Sequence, residues 1–230
     1  MAFTSHCFAS VSGDKKLQEI FANGWDFYSY VAIQTEKMNE QKDRFPNGVS
    51  ADKKADNYLK KLDPVKRNKA KAYSLGVAYG MEAYALKMTL GVDQKTAEGL
   101  IKGYLDGFPQ LAEWRERSRQ TVKDTGLIKN YLGRVRHLPR VKKVYSKFGD
   151  RMMDWRFRKE LEVQYGRDQV MNAYRDYRNA LNNCLNFQLQ SLVGLLNLYR
   201  DPCHHLEPQG DHLEYHRKLI KTYVYPLEQS

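Results

Sequence analysis

Arg67, Lys71, Leu75 and Tyr79 recur every four residues in the stretch RNKAKAYSLGVAYG, a spacing that strings them along one slowly drifting face of an α-helix. A guanidinium and an ammonium one turn apart, near the positively polarised N-terminal end of a helix, can both reach the oxygens of one polyphosphate. Further along the same face, Leu75 and Tyr79 can meet the sugar and base of a nucleotide, while Gly76 and Gly80 would let a bulky ligand approach the backbone. The face thus has the polarity of a nucleoside triphosphate, phosphate first and base last. Solvated helices also carry cations at this spacing, and Leu and Tyr are common core residues, so the same pattern fits a helix that only packs.

The elements that must position this face are readable from caps and breakers. Asp63-Pro64 supplies an N-cap and a first-turn proline, and Gly80 can end the helix. Upstream, GDKKLQEIFANG (13–24) opens on an Asp14 cap and closes on Gly24, with Leu17, Ile20 and Phe21 as its apolar stripe. WDFYSYVAIQTEKM (25–38) continues as a second helix, whereas 39–57, polar, charged and punctuated by Pro46 and Asn47-Gly48, reads as an exposed insertion. Capping signals predict further helices over about 93–103 and over 108–126, the latter starting at Pro109 and stopping at Gly126. At 127–139 the period changes, and Ile128, Tyr131 and Val135 around Gly133 predict a short hairpin or irregular strand. From 150 to 199 the chain returns to helix, rich in Arg and Tyr. The fold class is therefore mainly α with a small β element.

Composition narrows the partner. With 38 Lys+Arg against 27 Asp+Glu, the 230-residue chain carries a net charge of +11, which favours a polyanion. Nucleic acid fits better than a membrane surface, because no basic amphipathic helix with a bulky apolar face stands out. No apolar run reaches spanning length and the N-terminus has no secretory pattern, so the expected compartment is the cytoplasm. Cys7, Cys184 and Cys203 are odd in number and far apart, which predicts reduced thiols.

At this point the residues resemble a known family. Arg67-x-x-x-Lys71-x-x-x-Leu75-Gly76-x-x-Tyr79-Gly80 is similar to motif B of the DNA polymerase I family (family A), whose fingers helix reads R-x-x-x-K-x-x-x-[F/Y]-G-x-x-Y-G. The departure is Leu75, where an aromatic residue is common, and it bears on sugar discrimination rather than on triphosphate binding. The segment 8–29 resembles the one just after motif A, particularly in phage enzymes, and puts Tyr28 where a His or Tyr helps frame the nucleotide pocket. GLIKNYLGRVRHLP is similar to the T-x-x-G-R-x-R-x-L-P element, with Asn130 at the Thr position. NFQLQS (186–191) resembles the segment before motif C. The resemblance covers roughly residues 7 to 193.

It implies that Arg67 and Lys71 bind the phosphates, with Lys71 as proton donor to departing pyrophosphate, and that Leu75, Tyr79, Gly80 and Tyr28 line the sugar and base pocket. Arg134 and Arg136 would contact primer–template DNA, and Asn186 and Gln190 would touch base edges in the minor groove, where amides can both donate and accept. The family's chemistry also needs Mg2+ on paired carboxylates. The motif A aspartate would fall ahead of Met1, its Glu and Arg positions are Thr4 and His6, and no His-Asp-Glu follows Gln190, so the Mg2+ ligands are expected outside this chain. The divergent tail holds Cys203, His204, His205, His212 and His216, without a zinc motif, and the acids Asp201, Glu207, Asp211 and Glu214 as substitute ligands at best.

The expectation is thus the fingers and partial palm of a phage-like family A DNA polymerase, acting in the host cytoplasm on primer–template DNA and deoxynucleoside triphosphates. Its pieces would be 1–6 outside the family pattern, 7–62 following motif A with the insertion 39–57, fingers at 63–126 with the motif B helix at 64–80, palm at 127–193, and the tail at 194–230. Alone it is expected to be inactive, and other fragments of the same polymerase would complete it. The alternative is a non-catalytic nucleic-acid-binding module or a decayed remnant.

Overall fold

Asp14 gathers the first part of the chain around one carboxylate. In the computed structural model, which describes residues 2–131 and 133–200 with side chains within Cys7–Gly194, α1 (Ala2–Ser12) is followed by α2 (Lys15–Ala22). Asp14 Oδ1 accepts the amides of Lys16 and Leu17 at 3.0 and 3.1 Å, capping α2 as its sequence position requires. Its second oxygen accepts the amides of Gln110 and Leu111 at 3.1 and 3.2 Å, so the same buried side chain also starts α8 (Pro109–Thr125). Between them run α3 (Phe27–Thr35), a 3-10 turn at Met38–Glu40, α4 (Leu59–Leu62), α5 (Pro64–Ala78), α6 (Ala83–Leu90) and α7 (Gln94–Gly107). Their core is rich in aromatic rings, with Phe27 5.9 Å from both Phe21 and Phe108, and Tyr104 5.2 Å from Phe108.

The helices expected at 13–24, 64–80, 93–103 and 108–126 are present, and Asp63 and Asp93 cap α5 and α7 through the amides of Lys66 and Thr96. The insertion at 39–57 departs from the exposed loop expected for it. Phe45, Val49 and Ala51 are buried, Asn39 Oδ1 accepts the Val49 amide at 2.6 Å, and the Ala51 carbonyl accepts the amide of Asp26 at 2.9 Å. Its polar composition conceals three apolar anchors and side chains that satisfy the loop's own backbone.

The described residues form two compact units, the chain up to Trp114 with the stretch from Val193, and Arg115–Leu192. In the second, β1 (Leu127–Lys129) pairs antiparallel with β2 (Val135–His137), Ile128 opposite Arg136. This is the hairpin that the change of period predicts. Asn130 explains itself here: its Oδ1 accepts the Arg134 amide at 2.9 Å while the Asn130 amide donates to the Arg134 carbonyl at 3.0 Å, closing the turn. Then follow α9 (Pro139–Phe148), a 3-10 turn at Gly149–Met153, α10 (Trp155–Tyr165) and the 34-residue α11 (Arg167–Arg200). Val170, Tyr177, Leu181, Cys184, Leu185 and Leu189 form the buried stripe of α11. Among the described residues no helix is long and apolar enough to cross a membrane.

Candidate functional site

The four residues of the opening pattern all lie at the margin between core and solvent. Ala70, Tyr73, Ser74, Val77 and Ala78 form the buried face of α5, and Arg67, Lys71, Leu75 and Tyr79 are half-buried beside it. The pattern therefore marks one edge of the helix, partly sheltered and partly open, as a ligand-facing row requires.

Arg67 is not an unengaged cation. Its Nε donates to Asp26 Oδ2 at 2.9 Å and its Nη2 to Asp26 Oδ1 at 3.0 Å, a two-point pair between side chains 17% and 8% exposed. Asp26 Oδ2 also accepts from Ser29 at 2.5 Å and from Tyr58 at 3.1 Å. Burial alone would raise the Asp26 carboxyl, but the hydrogen bonds from Arg67 and Ser29 outweigh it and hold the group below the usual carboxylate range. The Arg67 guanidinium also lies 5.1 Å from the ring centre of Tyr28, which is buried beneath it. Tyr28 therefore supports the arginine, a role that the family resemblance did not suggest. Arg67 is fixed in direction by Asp26 and Tyr28, and its remaining donors are those that could meet an anion.

Lys71 stands differently. It is half-buried one turn beyond Arg67 and has no ion pair among the described residues. Its neighbour Lys66, by contrast, is ion-paired with Glu36. At the far end of the helix Tyr79 is the C-cap residue, and its ring packs edge-on to that of Phe8 on α1, 5.4 Å between centres.

The glycines have local reasons that the sequence left unseen. Gly80 has φ +95°, a backbone region that side-chain-bearing residues rarely adopt. A Cβ on Gly76 would come within 2.7 Å of the Met81 methyl, and the Met81 amide donates to the Gly76 carbonyl at 2.8 Å. The open side of Gly76 is thus taken by Met81, which revises the expectation that this glycine clears space for a ligand.

In the second unit Arg134 and Arg136 are both exposed on the hairpin. Arg136 lies 5.8 Å from the ring centre of Phe187, which follows the half-buried Asn186 on α11, so hairpin and amide helix are neighbours. Gln190 is exposed one turn further along. Between them the buried Gln188 donates to Ser118 Oγ at 2.9 Å, tying α11 to α8, so one of the amides in NFQLQS is structural.

The described residues do not fit Mg2+: they contain no group of three or more His, Cys, Asp or Glu able to hold a metal ion. The carboxylates of Asp14 and Asp26 are filled by N–H and O–H donors. Cys203, the four tail histidines and the tail acids Asp201, Glu207, Asp211 and Glu214 lie outside the described residues.

The fold as a whole is that of part of a polymerase domain. It superposes over 96% of its length on the POL domain of Pol1 from M. smegmatis in complex with DNA primer-template and dNTP, with a TM-score of 0.54, 18% identity and 34% of that chain covered. The model of DNA polymerase family A matches residues 6–164, and the chain belongs to that family. It is 30% identical over 131 residues to the thermostable DNA polymerase I of Thermus filiformis, and 28% identical over 131 residues to DNA polymerase I of Bacillus subtilis (strain 168). Each match covers 57% of this chain, which spans 13% of the length of these curated relatives. Asn186 and Gln190 lie beyond the residues matched by the family model.

Proposed function

We propose that this chain supplies the nucleotide-binding helix and part of the primer–template surface of a family A DNA polymerase, which carries out template-directed deoxynucleotidyl transfer in DNA replication. The observation that carries this reading is Lys71, a half-buried lysine without an ion pair among the described residues, one turn from an arginine that Asp26 holds in a fixed direction. Such a pair can take the phosphates of a deoxynucleoside triphosphate, with Lys71 able to protonate departing pyrophosphate. Leu75, Tyr79 and Gly80 follow on the sugar and base side, with Tyr28 behind Arg67. On the second unit Arg134 and Arg136 would meet the DNA backbone, and Asn186 and Gln190 the minor-groove edges of bases.

Mg2+ would be held by carboxylates outside the described residues, contributed by other parts of the same polymerase. The purified 230-residue chain with Mg2+ and primer–template should then leave the primer unextended. Extension that is lost on replacing Asp201, Glu207, Asp211 and Glu214 would contradict this, and would assign the metals to the tail. The binding half is tested by fluorescence titration with a labelled deoxynucleoside triphosphate. Competition by pyrophosphate but not by the free nucleoside is expected, whereas equal competition by both would leave only a non-catalytic nucleic-acid-binding module.

A further inference from the structure

Between Leu127 and Gly149 the chain carries seven lysines and arginines and no Asp or Glu. The contacts proposed above use Arg134 and Arg136 and leave the rest of this stretch, helix α9, without a role.

α9 is amphipathic in a way that holds its charges outward. Val141 is completely buried and Val144, Tyr145 and Phe148 are half-buried on the same side, whereas Lys142, Lys143 and Lys147 are exposed. The helix is also fixed to the hairpin. The Leu138 amide donates to the Gly126 carbonyl at 2.6 Å, and a Cβ on Gly126, itself at φ +72°, would lie 3.3 Å from Lys142 Cβ and 3.4 Å from the Pro139 Cα. The first turns of α9 therefore press on the base of the hairpin that carries Arg134 and Arg136.

Two nearby acids are already engaged. Asp150 pairs with Lys123 at 2.7 Å and Asp176 with Arg140 at 2.5 Å, so Arg140 is left out of the claim. Lys147 Nζ is 4.7 Å from the Tyr165 ring centre and 3.3 Å from its hydroxyl, contacts that orient the ammonium without neutralising it. Lys142 and Lys143 have no ion pair among the described residues. The three lysines span about 7.5 Å of helix rise, comparable to the axial rise of two phosphates on one DNA strand at about 3.4 Å each.

We propose that α9 is a second contact for the phosphate backbone of duplex DNA, through Lys142, Lys143 and Lys147, extending the hairpin contact in a sequence-independent way. Ammonium groups are point charges without the planar donor–acceptor pattern that reads base edges, so this contact positions the duplex and does not read it. An anionic membrane is the weaker partner, because the apolar side of α9 faces the core and cannot enter a bilayer. The proposal rests on the reading that Arg134 and Arg136 face primer–template DNA.

The test is fluorescence anisotropy of a labelled primer–template duplex over about 50–200 mM salt. It compares the wild-type chain, the triple alanine variant K142A/K143A/K147A, the triple arginine variant K142R/K143R/K147R, and R134A/R136A, with folding checked by circular dichroism. The triple alanine variant should lower the slope of log affinity against log salt by about 2–3, at about 0.9 per phosphate contact, with the arginine variant near wild type. An unchanged slope in the triple alanine variant, beside a flattened one in R134A/R136A, would remove α9 and leave the hairpin contact standing. Wild-type slope in both alanine variants, or no duplex binding by the wild-type chain, would remove both. Loss in the arginine variant equal to that in the alanine variant would make the effect structural and overturn the proposal. So would wild-type binding to vesicles of phosphatidylserine and phosphatidylcholine without binding to the duplex.

Discussion

Asp26 grips Arg67 at two points, Nε on Oδ2 at 2.9 Å and Nη2 on Oδ1 at 3.0 Å, across 41 positions of sequence. This pairing divides the labour of the two cations on α5. Arg67 is held in place, and Lys71, one turn further on, keeps its charge uncommitted among the described residues. An aspartate at the start of α3 thereby fixes one side chain of a helix whose own sequence shows only a pattern of cations.

The pair should be visible in the pH dependence of stability. Because the Asp26 carboxyl is held below its ordinary value of 3.8, its contribution is complete above that value and is lost as pH falls through the depressed one. Asp26→Asn should remove this acid-sensitive part and leave the half-buried Arg67 without its counter-charge, a loss of about 3 kcal/mol at neutral pH. Urea unfolding of both proteins at about pH 7 and about pH 3 measures it, the gap between them narrowing at the lower pH. A gap that does not change with pH would mean that Asp26 stabilises by packing rather than by charge.

Asp14 should also be sensitive to truncation. It receives four backbone amides from the starts of two helices, and Asp14→Ala leaves all of them without that acceptor. With each helix cap worth about 0.5–2 kcal/mol, the two caps together should lower the free energy of unfolding by about 1–4 kcal/mol. A loss no greater than that of the surface cap change Asp93→Ala would show that the link to α8 carries no energy.

The thiols give an independent check on burial. Cys7 and Cys184 are both buried, and burial pushes their thiols up to about 12 and about 11. In a Cys203→Ser variant, a disulfide reagent at about pH 8 should find neither thiol in the folded chain and both after unfolding. Rapid reaction of either one without denaturant would contradict the packing of α1 or of α11 described for it.

What the sequence makes legible here is mostly local. Asp14, Asp63 and Asp93 announce helix starts because the amides they cap are two or three residues away, and the hairpin shows itself through a change of period around Gly133. The sequence carries no clear signal for helix α6, since Glu82 makes no side-chain cap bond and Tyr84 and Met88 are exposed, which blurs any apolar stripe. Likewise no side-chain cap marks the start of α9, whose N-cap residue is Leu138. The partners that turn a motif into a site are distant in sequence: Asp26 and Tyr58 around Arg67, the anchors of the insertion, and the second cap made by Asp14. Each depends on tertiary packing, which periodicity does not encode.

The claim that the α5 edge binds the phosphates of a deoxynucleoside triphosphate is tested most directly by titrating one into the wild-type chain, Lys71→Ala and Lys71→Arg. Lys71→Ala removes one charge-assisted contact, worth about 1.5–3 kcal/mol, and should weaken binding at least about tenfold. Lys71→Arg should retain part of the affinity, and pyrophosphate should lose its ability to compete only in the alanine variant. Equal affinity of wild type and Lys71→Ala, both folded, would contradict the account.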